Sequence, residues 1–92
     1  MNIPPSQSTP TLMPGCRLGH HPTLGRVLLV PEGMMRVNET GIKILESCNG
    51  VRTFADIVAL LRQQYPSKTP ATMENEIGVF LERLRLRRVA DY

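Results

Sequence analysis

The apolar residues of this chain change period at Asn38, and few arrangements of 92 residues accommodate that switch. Before it, Arg26-Val27-Leu28-Leu29-Val30 is an aliphatic run of strand length, and Met34-Met35-Arg36-Val37 resumes in extended form after a break at Pro31-Glu32-Gly33. Two strands around a three-residue, glycine-ended loop make a hairpin. Upstream, Cys16 to His20 fits a short first strand, and His21-Pro22-Thr23-Leu24-Gly25 a turn. In the strand after the break Met35 and Val37 share one face, and Met34 and Arg36 the other. The Val37 face is assigned to the core.

After Asn38 the spacing is helical. Asn38 is a good N-cap, and Gly41, Ile44, Leu45 and Cys48 then fall on one side of a helix over 39–48 that ends at Asn49-Gly50. A second helix opens at Thr53, with Asp56 three residues on as a capping-box partner, and Pro66 stops it. Its core face is Phe54, Ile57, Val58, Leu61 and Tyr65. The third is capped by Thr69 with Pro70 at its first position, or slightly later by Thr72. Met73, Ile77, Phe80, Leu81 and Leu84 form its core face, and its late arginines suit the helix dipole. The expectation is an α+β domain over 15–92, a three-stranded antiparallel sheet followed by three helices. Residues 1–14, with four of the eight prolines, read as a flexible arm.

A chain this short buries about 60–65% of its unfolded surface, which leaves little room for a deep catalytic pocket. Met1 to Thr11 lacks the apolar stretch of a signal peptide, and no apolar run approaches the length of a membrane span. A cytoplasmic protein with no membrane partner is expected. Nine of the eleven basic residues are Arg and the formal charge is +3, a mild field of the kind many surfaces carry. Cys16, His20 and His21 form the sole cluster of metal-ligating types. Neighbours on a strand point to opposite faces, so the two imidazoles do not converge, and no Cys-x-x-Cys pair completes a site. No phosphate-cradling glycine pattern or nucleophile-base pair appears. Neither catalysis nor a cofactor is expected.

One feature of the third helix does not fit a helix with a single buried side: Val79 and Leu86 lie nearly opposite its core face, flanked by Gly78 and Val89. If the strands form a meander, 34–37 lies at a sheet edge whose free main-chain groups can receive a peptide as an added strand. Beside it the third helix would supply Val79 and Leu86 as apolar anchors, with Arg36, Arg83 and Arg87 as a cationic rim. Packing of Val79 and Leu86 against the N-terminal arm or a second copy explains the stripe equally well. A nucleic-acid binder of winged-helix type is the rival class. Against it, Arg62, Gln63 and Gln64 cluster at the end of the second helix instead of its start. A monomer or weak dimer fits an open strand edge.

Pro10-x-Leu12-x-Pro14-Gly15-x-Arg17-Leu18, Leu29-Val30-Pro31-Glu32-Gly33 and Val37-Asn38-Glu39-Thr40-Gly41 occur in that order. With Ile44-Leu45, Cys48-Asn49-Gly50, Thr53 and Ile57 they resemble the PqqD family of pyrroloquinoline quinone (PQQ) biosynthesis. Asn49-Gly50 stands where the family usually has Asp-Gly, and Arg87-Arg88-Val89 where a Gly-Leu-like element is common. The resemblance implies a winged-helix-like recognition fold that binds a ribosomally made precursor peptide and presents it to a radical S-adenosylmethionine enzyme. That partner, not this chain, would hold the iron–sulfur chemistry. The peptide would add beside Met34, Met35, Arg36 and Val37 and lie along the third helix at Gly78, Val79, Glu82, Arg83, Leu86 and Arg87. The same groove would also serve a different modified peptide.

Overall fold

Strand β2 (Arg17–His21) pairs antiparallel with β3 (Gly25–Val30), from Arg17↔Leu29 to His21↔Gly25. His21 holds the turn between them: its Nδ1 accepts from the Thr23 and Leu24 N–H groups at 3.0 and 3.1 Å, supplying partners that a tight turn lacks. Strand β4 (Gly33–Met35) returns beside β3 in the register Val30↔Gly33, Leu29↔Met34, Leu28↔Met35, so the sheet order is β2-β3-β4. The connecting loop is Pro31-Glu32, one residue shorter than the sequence spacing suggests, because Gly33 at φ 148° opens the return strand. Pairing stops at Met35. Arg36 and Val37 leave the ladder to reach the first helix. The computed structural model from which these elements are taken describes residues 3–92.

Each helix starts where its cap dictates. For α1 (Glu39–Ser47), the Asn38 side-chain oxygen accepts from the Gly41 N–H at 2.8 Å. For α2 (Phe54–Gln64) the capping box closes both ways: Asp56 N–H donates to Thr53 Oγ1 at 3.1 Å, and Thr53 N–H to the Asp56 carboxylate at 3.0 Å. Such a cap stabilises a helix by about 1 kcal/mol. For α3 (Pro70–Leu86) the cap is Thr69, with Thr72 N–H donating to its hydroxyl at 3.2 Å. Three strands followed by three helices is the α+β order expected from the sequence.

The helices and the sheet share two apolar clusters. Ile44, Phe54, Ile57, Leu61, Met73, Ile77 and Leu81 join α1, α2 and α3, with Cys48 among them as a small hydrophobe. Burial pushes the Cys48 thiol up to about 12, and its Sγ–H donates to the Ile44 carbonyl. Leu28, Val30, Leu45, Leu84 and Val89 join the sheet to α1 and α3, with Met35 and Val37 packed against them. The Met35–Val37 face therefore does meet the core. Phe80 touches both clusters. Gly41 permits the closest approach of α1 to α3: a Cβ there would meet Phe80 Cζ at 3.1 Å and run into Val37 Cγ1.

Where the sequence suggests a flexible arm over 1–14, residues 3–14 lie along the body; Met1 and Asn2 are outside the described residues. The Ser8 and Ser6 carbonyls accept from the Phe54 and Ala55 N–H groups at 2.8 and 3.1 Å. These are two of the N–H groups at the start of α2 that have no intrahelical partner. Prolines upstream of these contacts cost nothing here, because it is the arm's carbonyls that α2 requires. Farther on, β1 (Thr11–Leu12) pairs antiparallel with β5 (Ala90–Asp91), a second small sheet that the sequence reading lacks. Ile3 sits over Gly78, where an added Cβ would come within 2.6 Å of Ile3 Cγ2.

Candidate functional site

The hairpin geometry decides which main-chain groups of β4 are free. In a two-residue hairpin the pair flanking the loop, Val30 and Gly33, exchanges hydrogen bonds, and bonded and non-bonded pairs then alternate. Leu29↔Met34 is thus the non-bonded pair, which turns the Met34 N–H and C=O away from β3. β4 is the last strand of its sheet, so those groups face an open edge. Met34 is itself 43% exposed.

The C-terminal end of α3, at its C-cap Arg87, meets this edge. Met34 and Met35 line a cavity of about 140 Å³ together with Val30, Glu32, Gly33, Val89 and, from the end of α3, Arg87. Val79 and Arg83 line a larger one of about 450 Å³, whose other walls include Asn38 (the cap of α1), Thr40 and Gly41 of α1 and Phe80 of α3. Val79, Arg83 and Arg87 stand at i, i+4 and i+8, so one stripe of α3 connects both cavities. Arg36, Arg83 and Arg87 are exposed and make no ion pair among the described residues. Leu86, next along the helix, is 68% exposed. The sheet edge and the helix therefore form a groove with main-chain groups on one side and a mixed apolar and cationic wall on the other.

Not every residue read from the sequence joins it. Gly78 is buried on another flank of α3, beneath Ile3 and Pro4. Glu82 is engaged by Arg85, by two hydrogen bonds of 2.6 and 2.9 Å, and by the Tyr92 hydroxyl. The hydrogen bonds from Arg85, then that from Tyr92, hold its carboxyl down at about 2. Arg85 lies 5.9 Å from the Tyr92 ring centroid, so this cluster ties β5 to α3 on the side away from the groove. Val37 is half-buried and contributes packing. The groove's Asn38, Thr40, Asn75 and Phe80 were absent from the sequence-derived set. Their one sequence signal is Gly41, which marks where α1 closes on α3.

His20 is exposed, and His21 serves its turn, while Cys16 packs at the edge of the second cluster. Among the described residues no helix is long and apolar enough to cross a membrane.

Residues 25–89 match the family described as coenzyme PQQ synthesis protein D (PqqD). The PqqA binding protein of Pseudomonas paraeruginosa is 39% identical over 83 residues, covering 89% of this chain and 88% of its own. That of Pseudomonas fluorescens is 44% identical over 78 residues, covering 84% of each. The solution structure of the PqqD truncation of Methylobacterium extorquens PqqCD, a stand-alone recognition element for ribosomally synthesised and modified peptides, superposes with a TM-score of 0.75. It is 30% identical and covers 90% of this chain and 88% of its own. Lasso peptide synthetase B1 complexed with the leader peptide shares the fold, with a TM-score of 0.77 at 21% identity over 92% of this chain and 100% of its own.

Proposed function

The chain belongs to the PqqD family, and on that premise we propose that it binds the precursor peptide PqqA by strand addition to β4 and presents it to a radical S-adenosylmethionine enzyme in the cytoplasm. The observation that carries this reading is the outward-facing Met34 main chain beside an α3 wall with unpaired cations. Names of the relatives, PqqA binding proteins and a recognition element, support the same reading. The chain itself is non-catalytic and needs no cofactor for this role. It orders a flexible peptide and raises its effective concentration at the partner enzyme.

Energetics require both walls of the groove. A micromolar complex corresponds to about 8 kcal/mol, whereas hydrogen bonds to the outward Met34 N–H and C=O contribute about 1 kcal/mol each. The peptide also loses conformational freedom on docking. Side-chain contacts with Met34, Val79, Leu86 and the exposed arginines must supply the difference. Strand addition sets the register, and α3 supplies most of the affinity.

The direct test is Met34→Pro, which removes the outward N–H while leaving the β3 ladder intact, since proline is tolerated on an edge strand. Binding of PqqA, followed by calorimetry, should weaken about fivefold or more with the amide spectrum of the core unchanged. A PqqA peptide N-methylated at successive positions should lose affinity at alternate residues only. Unaltered binding by both the protein variant and every N-methylated peptide would remove the strand-addition mechanism.

A further inference from the structure

The cavity between the start of α1 and the first half of α3 has a composition unlike the rest of the groove. Its apolar floor is Ile44, Val79 and Phe80, and its rim is polar. The hydrogen-bonding state of that rim is lopsided. The Asn38 side-chain oxygen already accepts from Gly41 N–H, which leaves its amide NH2 to donate. Glu76, the one carboxylate of the lining, is taken by Lys68 at 2.7 and 2.9 Å. Thr40 Oγ1 donates to the Tyr65 hydroxyl. Arg83 has neither an ion-pair nor a side-chain hydrogen-bond partner among the described residues. The cavity thus presents spare donors and a spare positive charge; its Glu76 carboxylate and Asn38 oxygen are committed, and the Asn75 amide offers a donor as well as an acceptor.

We infer that this cavity is a second anchoring subsite of the groove, and that it takes one carboxylate side chain of the bound peptide against Arg83, with the aliphatic part of that side chain on Val79 and Phe80. The inference rests on the peptide-docking reading and adds to it a specific chemistry at a specific place. A neutral apolar side chain would leave the Arg83 guanidinium and the Asn38 amide without partners, and a lysine would face Arg83 and Lys68 directly. A carboxylate satisfies the donors and the charge together. The position within the peptide follows from helix geometry. Arg87 lines the cavity at β4 and Arg83 the cavity at α1, and four residues of helix advance about 6 Å. An extended peptide covers that in about two residues. The acidic residue therefore lies about two residues beyond the segment paired with β4.

The experiment is a double-mutant cycle in the full chain. PqqA peptides in which each Asp or Glu is replaced in turn by Asn or Gln are titrated into wild type and R83Q, at fixed ionic strength. One peptide position should lose about three- to fivefold in affinity for wild type, and that loss should fall to less than twofold in R83Q. A peptide with Lys at that position should be rescued by R83E. Losses spread evenly over all acidic positions, or loss factors at every position unchanged by R83Q, would overturn the subsite. The M34P variant separates the two levels. If M34P weakens binding while R83Q has no effect, the subsite alone fails; if M34P and N-methylation have no effect, the docking reading fails first.

Discussion

Replacing Arg88 by glycine should raise the stability of this fold. Arg88 follows the last turn of α3 with φ 61°, the one positive value at a non-glycine residue among those described. The main chain around it closes a Schellman motif: Arg88 N–H donates to the Arg85 carbonyl at 3.0 Å and Val89 N–H to the Leu84 carbonyl at 2.9 Å. Val89 and Leu84 also share an apolar cluster, the side-chain contact that accompanies this motif. The left-handed position normally belongs to glycine, because a Cβ there costs about 1–2 kcal/mol. Glycine returns about 0.5–1 kcal/mol of that through the greater freedom of its unfolded chain. The net gain for Arg88→Gly is therefore about 0.5–1 kcal/mol. In a domain of this size that raises Tm by about 3–6 °C. Thermal unfolding followed by circular dichroism is the assay, with Arg88→Ala as control. Alanine removes the charge but keeps the Cβ, so its Tm should match wild type within about 2 °C. If Arg88→Ala gains as much as Arg88→Gly, charge relief beside Arg85 and Arg87 is the cause, and the backbone argument is refuted.

Glu82 should titrate well below the ordinary carboxylate value. Its folded-state value, about 2, lies below its ordinary 4.5, so its contribution to stability is fully present above about 4.5 and is lost as pH falls toward 2. Carbon-13 NMR of the Glu82 carboxyl should give a midpoint far below 4.5, and the difference in urea midpoint between wild type and Glu82→Ala should shrink through that window. A midpoint near 4.5 would contradict the Arg85 and Tyr92 hydrogen bonds. Gly41→Ala should destabilise by about 1–3 kcal/mol in urea unfolding, although alanine is the better helix former, because the new Cβ runs into Val37 and Phe80. Unchanged stability would mean that α1 and α3 are not so closely packed.

The helices were legible because each carries its own start signal. Asn38, Thr53 and Thr69 cap where the sequence placed them, and the Thr53–Asp56 box closes in both directions. Local chemistry of this kind needs no tertiary information. The β1–β5 sheet was not legible, since strands of two residues carry no periodic signal and pair across almost the whole chain. The arm was misjudged for a related reason. Its composition describes a segment that cannot build a core of its own, which is correct, yet residues 3–14 do not need one. They answer a demand made elsewhere, by the unpartnered N–H groups of Phe54 and Ala55.

The groove was half legible, and the division follows the same logic. Val79 and Leu86 stood out as apolar positions on the wrong side of α3, and Val79 does line the groove with Arg83 while Arg87 joins Met34 and Met35. Helical spacing cannot say how far round the surface such a groove extends, so Gly78 and Glu82 were included, although Ile3 covers one and Arg85 with Tyr92 engages the other. Both exclusions come from the two chain ends folding back onto α3. The flank they cover is the reason the opposite flank remains available: with one side of α3 closed by Ile3 and Tyr92 and another buried in the core, the stripe from Val79 to Arg87 is the surface of α3 left uncovered, and it is there that the proposed docking would take place.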